Sequence, residues 1–158
     1  MNSIQINRQT AFNNETLNKM LEQYKKYLFE DYLPFINEYL YDQEHGGYFW
    51  NTSYHGEQRS SNKRTWYDAR GTWVYSYLYK VLDSNPLYLE RAKQTLKLLY
   101  QAKDTQAHFW PWSYDREGND LKEREGDIYG NLFVAEALAV LVHHDRVRQR
   151  EIQMVHER

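Results

Sequence analysis

The stretch WYDARGTWVYSYLYK, residues 66–80, carries six aromatic rings, one arginine and one glycine in fifteen positions. Apolar side chains recur there with a helical period from about Thr65 to Leu82, on almost every side of the predicted helix. Such a segment is typical of a helix inside a structure. Four side chains that include the arginine share one face of it, at spacings of four, three and four: Trp66, Arg70, Trp73 and Tyr77.

Arg70 is the one charge that this aromatic face presents, and two interpretations of it are open. In the structural one, its guanidinium stacks on a tryptophan or pairs with a buried acid. Glu136 is a candidate partner, because on a helix it shares a face with Tyr129 and Phe133. In the functional one, Arg70 is a fixed cation in a pocket, donating hydrogen bonds to a substrate oxygen that gains negative charge.

Helical periods also flank this segment. One begins after Asn13 or Asn14, and Pro34 makes its later part either a kinked continuation or a second helix. Another begins at the cap formed by Ser84 and Asn85 and continues with Pro86 in its first turn. A third lies within DIYGNLFVAEALAVLV, residues 127–142, and is again expected in an interior. Between the helices, GGYFWNTSYHGEQ (46–58) and AHFWPWSYDREGND (107–120) predict short hairpins or ordered loops. The fold class is therefore all-α.

Composition excludes several partners. Lys and Arg number 20 against 22 Asp and Glu, for a net charge of −2, so nothing draws the chain to nucleic acid or anionic lipid. It contains no cysteine, which excludes disulfides and a thiolate zinc site. No signal peptide or apolar span is visible, so we expect a soluble, cytoplasmic protein. The aromatic content of 16% suits sugar rings as well as a core.

Several classes of chemistry lack their motifs. There is no phosphate-binding glycine loop, nucleophile elbow or helical histidine pair, so we expect no metal site and neither phosphoryl transfer nor serine hydrolysis. His45, beside two glycines, is predicted to be a turn residue. The carboxylates nearest the aromatic segments are predicted mostly to cap helices and form turns: Asp68, Asp115, Asp127 and Glu136. Two other functions nevertheless remain open. One is a carboxylate-dependent glycoside hydrolase or lyase, and the other is a non-catalytic carbohydrate-binding fragment.

Five segments, in this order and spacing, resemble the N-acylglucosamine 2-epimerase family, which includes cellobiose 2-epimerases and related aldose–ketose isomerases. They cover most of the chain up to residue 142: DQEHGGYFW (42–50), KRTWYDARGTWVYSYLY (63–79), YLERAKQTLKLL (88–99), DREGN (115–119) and DIYGNLFVAEALA (127–139). The resemblance implies an (α/α)6 barrel, in which six inner helices surround a sugar pocket. It also implies proton transfer beside a sugar carbonyl, through an enediol or enolate and without a redox cofactor.

The same resemblance assigns roles to residues. The family's arginine in the tryptophan-rich helix contacts the substrate oxygen, and it matches Arg70. The tyrosine that begins the later inner helix matches Tyr129. With Trp66 and Trp110, these residues are expected to line half of a sugar pocket.

The chain departs from the family in length. Twelve helices with their connections need on the order of 200 residues. We therefore expect 1–142 to be the N-terminal part of a barrel and 143–158 to be an atypical charged tail, as in a truncated or frame-shifted product. The family's acid/base histidines lie on later inner helices, and no histidine here matches them: His45, His55, His108, His143, His144 and His156. We expect the chain to be inactive alone and to self-associate through exposed apolar helix flanks.

Overall fold

The computed structural model describes the backbone of residues 14–156 and the side chains of residues 15–142, and these are mostly helical. They form two compact units, with the boundary after Tyr39. None of the helices in this described part is both long and apolar enough to cross a bilayer.

The first unit is one helical run with changes of pitch. Helix α1 (Asn14–Lys26) leads into a π-helical segment (Tyr27–Tyr32), the short α2 (Leu33–Phe35) and a second π-helical segment (Ile36–Leu40). Pro34, which has no backbone N–H to donate, lies in the short α2 between the two π-helical segments. Of the two alternatives at Pro34, continuation is therefore correct, since the helical residues run from Asn14 to Leu40 without a gap.

The second unit contains the aromatic helices and a small sheet. Its elements are β1 (Lys63–Arg64), α3 (Thr65–Tyr77), a π-helical segment (Leu78–Leu82), α4 (Pro86–Ala102), β2 (Ser113–Tyr114) and α5 (Ile128–His156). The two strands pair antiparallel, with Lys63 opposite Tyr114. This pairing places the loop before α5 against the start of α3.

Local signals explain where these helices begin. The side chain of Asn85 accepts a hydrogen bond of 3.1 Å from the backbone N–H of Leu87, which caps α4 as predicted. The side chain of Asp127 accepts one of 3.0 Å from Gly130, in the first turn of α5. Segment 46–58 is a loop with isolated bridges, and its turn at Gly46 and Gly47 uses positive φ values of 78° and 77°.

Helix α3 packs against both α4 and α5 around one apolar cluster. Its members come from all three helices and β2: Ala69, Leu98, Leu99, Ala102, Tyr114 and Val134. Ala69 and Thr72 are fully buried, and these small side chains allow α4 and α5 to approach α3 closely.

The prediction that α3 and α5 are interior helices on all sides is only half correct. Each buries one side in this unit and exposes large apolar residues on another, although the sequence pattern is apolar nearly all round. The exposed residues are Tyr67, Val74 and Tyr77 on α3, Val81 just beyond it, and Ile128, Tyr129, Leu132 and Val142 on α5.

Of the predicted tail, residues 143–158, only the backbone is described, and only as far as His156. The backbone continues as helix to His156, and the side chains from His143 onwards are not described. A separate tail stays a prediction.

Candidate functional site

Helix α3 carries its chemistry on two opposite sides, and the buried side is built around Asp68. This fully buried carboxylate accepts a hydrogen bond of 2.5 Å from the Tyr114 hydroxyl and one of 2.7 Å from the backbone N–H of Tyr48. Burial raises the pKa of Asp68 to about 7, although the Tyr114 hydrogen bond acts in the opposite direction. Asp68 therefore ties the loop 46–58 and β2 to α3.

A second buried carboxylate, Asp42, lies in an ion-pair cluster four residues before this loop begins. It accepts hydrogen bonds of 2.8 Å from the fully buried Lys63 ammonium and of 2.8 and 2.9 Å from the Arg116 guanidinium. Burial alone would raise the pKa of Asp42, but the hydrogen bonds from Arg116 and Lys63 outweigh it and hold the pKa well below its usual range. Asp42 thus stays ionised.

Arg70 lies on the other, exposed side of α3. Its guanidinium carbon is 5.3 Å from the centroid of the Phe133 ring on α5, and no ion pair of Arg70 occurs among the residues whose side chains are described. Glu136 is itself exposed, so it is not the buried acid considered as a partner. Arg70 therefore presents a charge that no acid with a described side chain neutralises, held beside an aromatic ring.

Trp66, one turn before Arg70, belongs to a stack of rings and guanidinium groups. Its ring lies 6.0 Å from Trp112 at an interplanar angle of 30° and 6.3 Å from Phe133. Arg64 continues the stack, with its guanidinium carbon 5.3 Å from Trp112 and 3.7 Å from Trp50. The aromatic groups next to Arg70 are thereby fixed in orientation by contacts on both sides.

Tyr129 and Trp110 lie at the start of α5 and in the loop before it. Tyr129, in the first turn of α5, is 67% exposed. Trp110 is anchored, because its indole N–H donates to the Leu99 carbonyl at 3.2 Å and its backbone N–H donates to the Asn131 side chain at 3.0 Å. Trp66 and Trp110 line one narrow crevice at the N-terminal ends of α3 and α5.

A larger cavity, of about 360 Å³, lies within the loop between α4 and α5. His108, Phe109 and Trp110 line it, together with charged residues such as Arg124. Of the four predicted site residues it includes Trp110 and not Arg70, Trp66 or Tyr129. Trp110 therefore borders two separate depressions, and Arg70 lies on an open face.

Asp127 and Asp115 have the cap and turn roles predicted for them, whereas Asp68 neither caps a helix nor forms a turn but joins separate elements in the buried part of the unit. Asp68 is locked to Tyr114, Asp127 caps α5, and Asp115 accepts backbone N–H groups of Glu117 and Asn119 in a turn. None of these three carboxylates is therefore both buried and free of a structural role, as the catalytic acid of a glycoside hydrolase would be.

The histidines with described side chains contact groups other than Arg70. The backbone N–H of His45 donates to Asp42 at 3.2 Å, in the turn predicted for it. His55 contacts Tyr54, with ring centroids 5.1 Å apart, and His108 lines the loop cavity. His143, His144 and His156 lie outside the described side chains.

Sequence reasoning missed Arg64 and the cluster of Asp42, Lys63 and Arg116. Arg116 lies 74 residues from Asp42, so no local period connects them. The available signal was the pair Lys63 and Arg64, directly before the aromatic helix. Cations that become buried beside such a helix need acidic or aromatic groups in contact with them.

Comparisons of the sequence and of the fold with known proteins point to one family. The family model of N-acylglucosamine 2-epimerase (GlcNAc 2-epimerase) matches residues 46–156. Curated proteins give no match. Similar solved structures include a cellobiose 2-epimerase from Spirochaeta thermophila DSM 6192, with 27% identity and a TM-score of 0.69 over 81% of this chain and 31% of that one.

Two further structures agree on the fold. A sugar epimerase from a ruminal bacterium has 24% identity and a TM-score of 0.70, covering 82% of this chain and 33% of that one. Cellobiose 2-epimerase from Bacillus thermoamylovorans B4167 has 23% identity and a TM-score of 0.61, covering 76% and 35%. The chain spans about a third of the length of these structures.

The predicted fold class is confirmed, since the helices form part of an (α/α)6 barrel. Because the family model takes in more than half of the sequence, including both aromatic helices, the chain belongs to the N-acylglucosamine 2-epimerase family.

Proposed function

We propose that this chain supplies the arginine-bearing part of the pocket of a sugar 2-epimerase or aldose–ketose isomerase. Arg70 donates hydrogen bonds to the substrate's carbonyl oxygen, which becomes negatively charged when a proton leaves the neighbouring carbon. Trp66, Tyr129 and Trp110 offer flat rings on which a sugar can lie. The product differs from the substrate in configuration at C2, or in the position of the carbonyl.

The observation that carries this proposal is the exposed Arg70 guanidinium, held over Phe133 with no acid beside it among the described residues. A cation fixed in this way stabilises an enolate oxygen more than a neutral carbonyl, so it lowers the barrier to proton removal. Asp68 supports the position from behind, because its hydrogen bonds fix the helix that carries Arg70.

None of the histidines with described side chains supplies a general base beside Arg70. Proton abstraction needs a base within about 3 Å of the reacting carbon's proton. The described histidines contact Asp42, Tyr54 and the loop cavity instead. We therefore propose that the chain binds sugar and does not by itself turn it over.

Deuterium exchange tests the inactivity. The purified chain is incubated with cellobiose, mannose or N-acetylmannosamine in D₂O, and the NMR signal of the proton on C2 is followed. We expect that signal to persist as it does in the blank. Loss of the signal with the wild-type chain and not with Arg70→Ala would show that the chain catalyses the reaction alone.

Tryptophan fluorescence tests sugar binding separately. We expect sugars to change the emission of the chain and Arg70→Ala to weaken the affinity about tenfold, which corresponds to about 1.4 kcal/mol. Arg59→Ala removes an exposed arginine from the loop 46–58 and is the matched control, with unchanged affinity expected. Equal affinities for all three proteins would exclude Arg70 from the sugar site.

A further inference from the structure

Three arginines lie along one continuous stack of aromatic rings in the second unit. The guanidinium carbons of Arg124 and Arg64 are 4.2 and 5.3 Å from the centroid of the same ring, that of Trp112. Arg70 lies at the other end of the stack, where its guanidinium carbon is 5.3 Å from the Phe133 ring. The connecting rings, which follow one another at centroid distances of 6.0 and 6.3 Å, are Trp112, Trp66 and Phe133. We call these six residues the arginine stack.

Rings, and not acids, hold these arginines in place. Among the residues with described side chains, none forms an ion pair with Arg64, Arg70 or Arg124. Glu123, next to Arg124 in sequence, accepts a hydrogen bond of 2.8 Å from the Ser113 hydroxyl instead. A guanidinium that lies on a ring uses its flat face for this contact, and its N–H groups point outwards in its own plane. The rings therefore orient the three guanidinium groups and leave their N–H groups without a carboxylate partner.

The side chains of the arginine stack donate hydrogen bonds and do not accept them, because Trp and Arg carry only donors and Phe carries neither kind of group. Two of these donors, the indole N–H of Trp66 and the Nε–H of Arg64, are buried and lack a hydrogen-bond partner in the described part of the chain. A sugar hydroxyl both donates and accepts, so a neutral sugar is bound best where donors and acceptors are mixed. An ionised phosphate, sulfate or carboxylate group only accepts, and it therefore matches the arginine stack better.

We propose that the sugar bound by this chain carries an oxyanion group away from its carbonyl, and that Arg64 and Arg124 bind that group. The inference rests on the proposed function, in which Arg70 binds the carbonyl oxygen at the other end of the stack. Because the guanidinium carbons of Arg64 and Arg124 lie near the same ring, they are at most about 10 Å apart. An oxyanion that accepts hydrogen bonds from two guanidinium groups needs their carbons roughly 8 Å apart, about 4 Å on each side of it.

The cavity in the loop between α4 and α5 provides room for such a group, because Arg124 lines this space of about 360 Å³. Lys122 lines it from a backbone with a positive φ of 55°, and the Asp120 side chain accepts the Lys122 backbone N–H at 2.8 Å. Strained backbone of this kind is common where a protein holds a ligand. Asp104 and Glu125 also line the cavity, so it is not uniformly basic. Selection for an anion therefore depends on the oriented N–H groups of the arginines and not on the overall charge.

Titration calorimetry with three sugars of one configuration tests this selection. Mannose, mannose 6-phosphate and mannuronate are titrated separately into the chain, with inorganic phosphate as a fourth ligand. We expect at least one anionic sugar to bind about tenfold more tightly than mannose, since charge-assisted hydrogen bonds are added, and this comparison distinguishes a phosphate from a carboxylate. No gain in affinity with either anionic sugar would overturn the proposal. Inorganic phosphate that binds as tightly as mannose 6-phosphate would also overturn it, because the anion would then not be part of a sugar.

Single substitutions assign the gain in affinity to the arginine stack. Arg64→Met and Arg124→Met each keep an unbranched apolar side chain against the ring, and each should reduce the gain to about threefold or less without changing the affinity for mannose. Lys97→Met removes the same charge from an exposed site on α4 and should leave the gain unchanged. A gain that survives both arginine substitutions would overturn the proposal.

Arg70→Ala separates this inference from the proposed function. It should weaken the affinities for mannose and for the anionic sugar by the same factor, so that their ratio stays constant. Equal affinities for the neutral and anionic sugars, both weakened by Arg70→Ala, would overturn the oxyanion alone. A gain that depends on Arg124, with no effect of Arg70→Ala on either sugar, would support the oxyanion and contradict the role of Arg70.

Discussion

The two sides of helix α3 differ in nearly every physical respect. The rear side faces α4 and the loop 46–58 and buries polar groups, among them Asp68, Thr72 and Ser76, each of which has a hydrogen-bond partner. The front side exposes Arg70 and the apolar Val74 and Tyr77. The comparison shows that one helix can separate the groups that stabilise the fold from those available to a ligand or partner.

The reason for the separation lies in the surroundings of each charge. Behind α3, Asp42 and Lys63 are almost wholly withdrawn from water, so each depends on the other. On the front side the Arg70 guanidinium stays solvated, so removing one of its neighbours should cost little free energy of folding. Substitutions on the rear side should therefore reduce stability, and those on the front side should reduce binding.

The largest effect is expected at Asp42. Replacing it by alanine leaves the Lys63 ammonium buried without its partner, which should reduce the free energy of unfolding by about 3–5 kcal/mol in urea titrations. Glu44→Ala removes exposed contacts, with Arg116 at 3.1 Å and His45 at 3.8 Å, and should cost less than about 1 kcal/mol. Similar losses for the two variants would contradict the contrast between buried and exposed pairs.

Asp68 should give the rear side a characteristic pH dependence. Because its pKa is raised from 3.8 to about 7 on folding, the folded state binds the proton more tightly. Stability from this group is therefore gained as the pH falls from about 7 towards 4 and lost as it rises. When the pH is lowered from 8 to 5, the free energy of unfolding measured in urea titrations should rise by on the order of 2 kcal/mol more for the wild type than for Asp68→Asn.

The control for this pH profile is Asp115→Asn. Burial is the largest single effect on Asp115 and raises its pKa, but the hydrogen bonds from Asn119, Glu117 and Gly118 together outweigh it and lower the pKa, so Asp115 stays ionised throughout that pH range. Asp42, whose pKa is also lowered, titrates only below about pH 4 and does not interfere. A profile for Asp68→Asn parallel to the wild type would mean that Asp68 stays ionised.

Gly71 and Gly130 provide a smaller, matched pair. A Cβ on Gly71 would collide with the ring of the buried Tyr48, so Gly71→Ala should destabilise the protein by about 1–2 kcal/mol despite the better helix propensity of alanine. A Cβ on Gly130 would have ordinary contact distances, 3.5 Å to Thr65 and 3.8 Å to Asp127. Gly130→Ala should therefore stabilise the protein by up to about 1 kcal/mol. Thermal unfolding would distinguish the two signs.

The smallest effect on stability is expected at Arg70. Its side chain is exposed and contacts Phe133, so Arg70→Ala should change the free energy of unfolding by no more than about 0.5 kcal/mol. The same urea titration used for Asp42 measures it. A loss comparable to that of Asp42→Ala would make Arg70 a structural residue and remove the difference between the two sides.

Local patterns in the sequence were sufficient to predict the helices, and the quoted motifs were sufficient to predict the family. The aromatic period predicted a helix from Thr65 to Leu82, and the helical residues have these bounds because intrahelical contacts join positions three and four apart. The cap at Asn85 was predicted for the same local reason. The placing of Arg70 beside rings also followed from spacing alone.

Only the tertiary structure decided which side of each helix is buried and how distant residues meet. Asp68 and Tyr114 are 46 positions apart, and Asp42 and Arg116 are 74 apart, so their contacts depend on the packing of whole elements. Apolar periodicity likewise cannot tell a side covered by this chain from one left uncovered, since both need the same side chains. The sequence by itself therefore determined the helices and the family, whereas the packing determined that Arg70 lies on an open face.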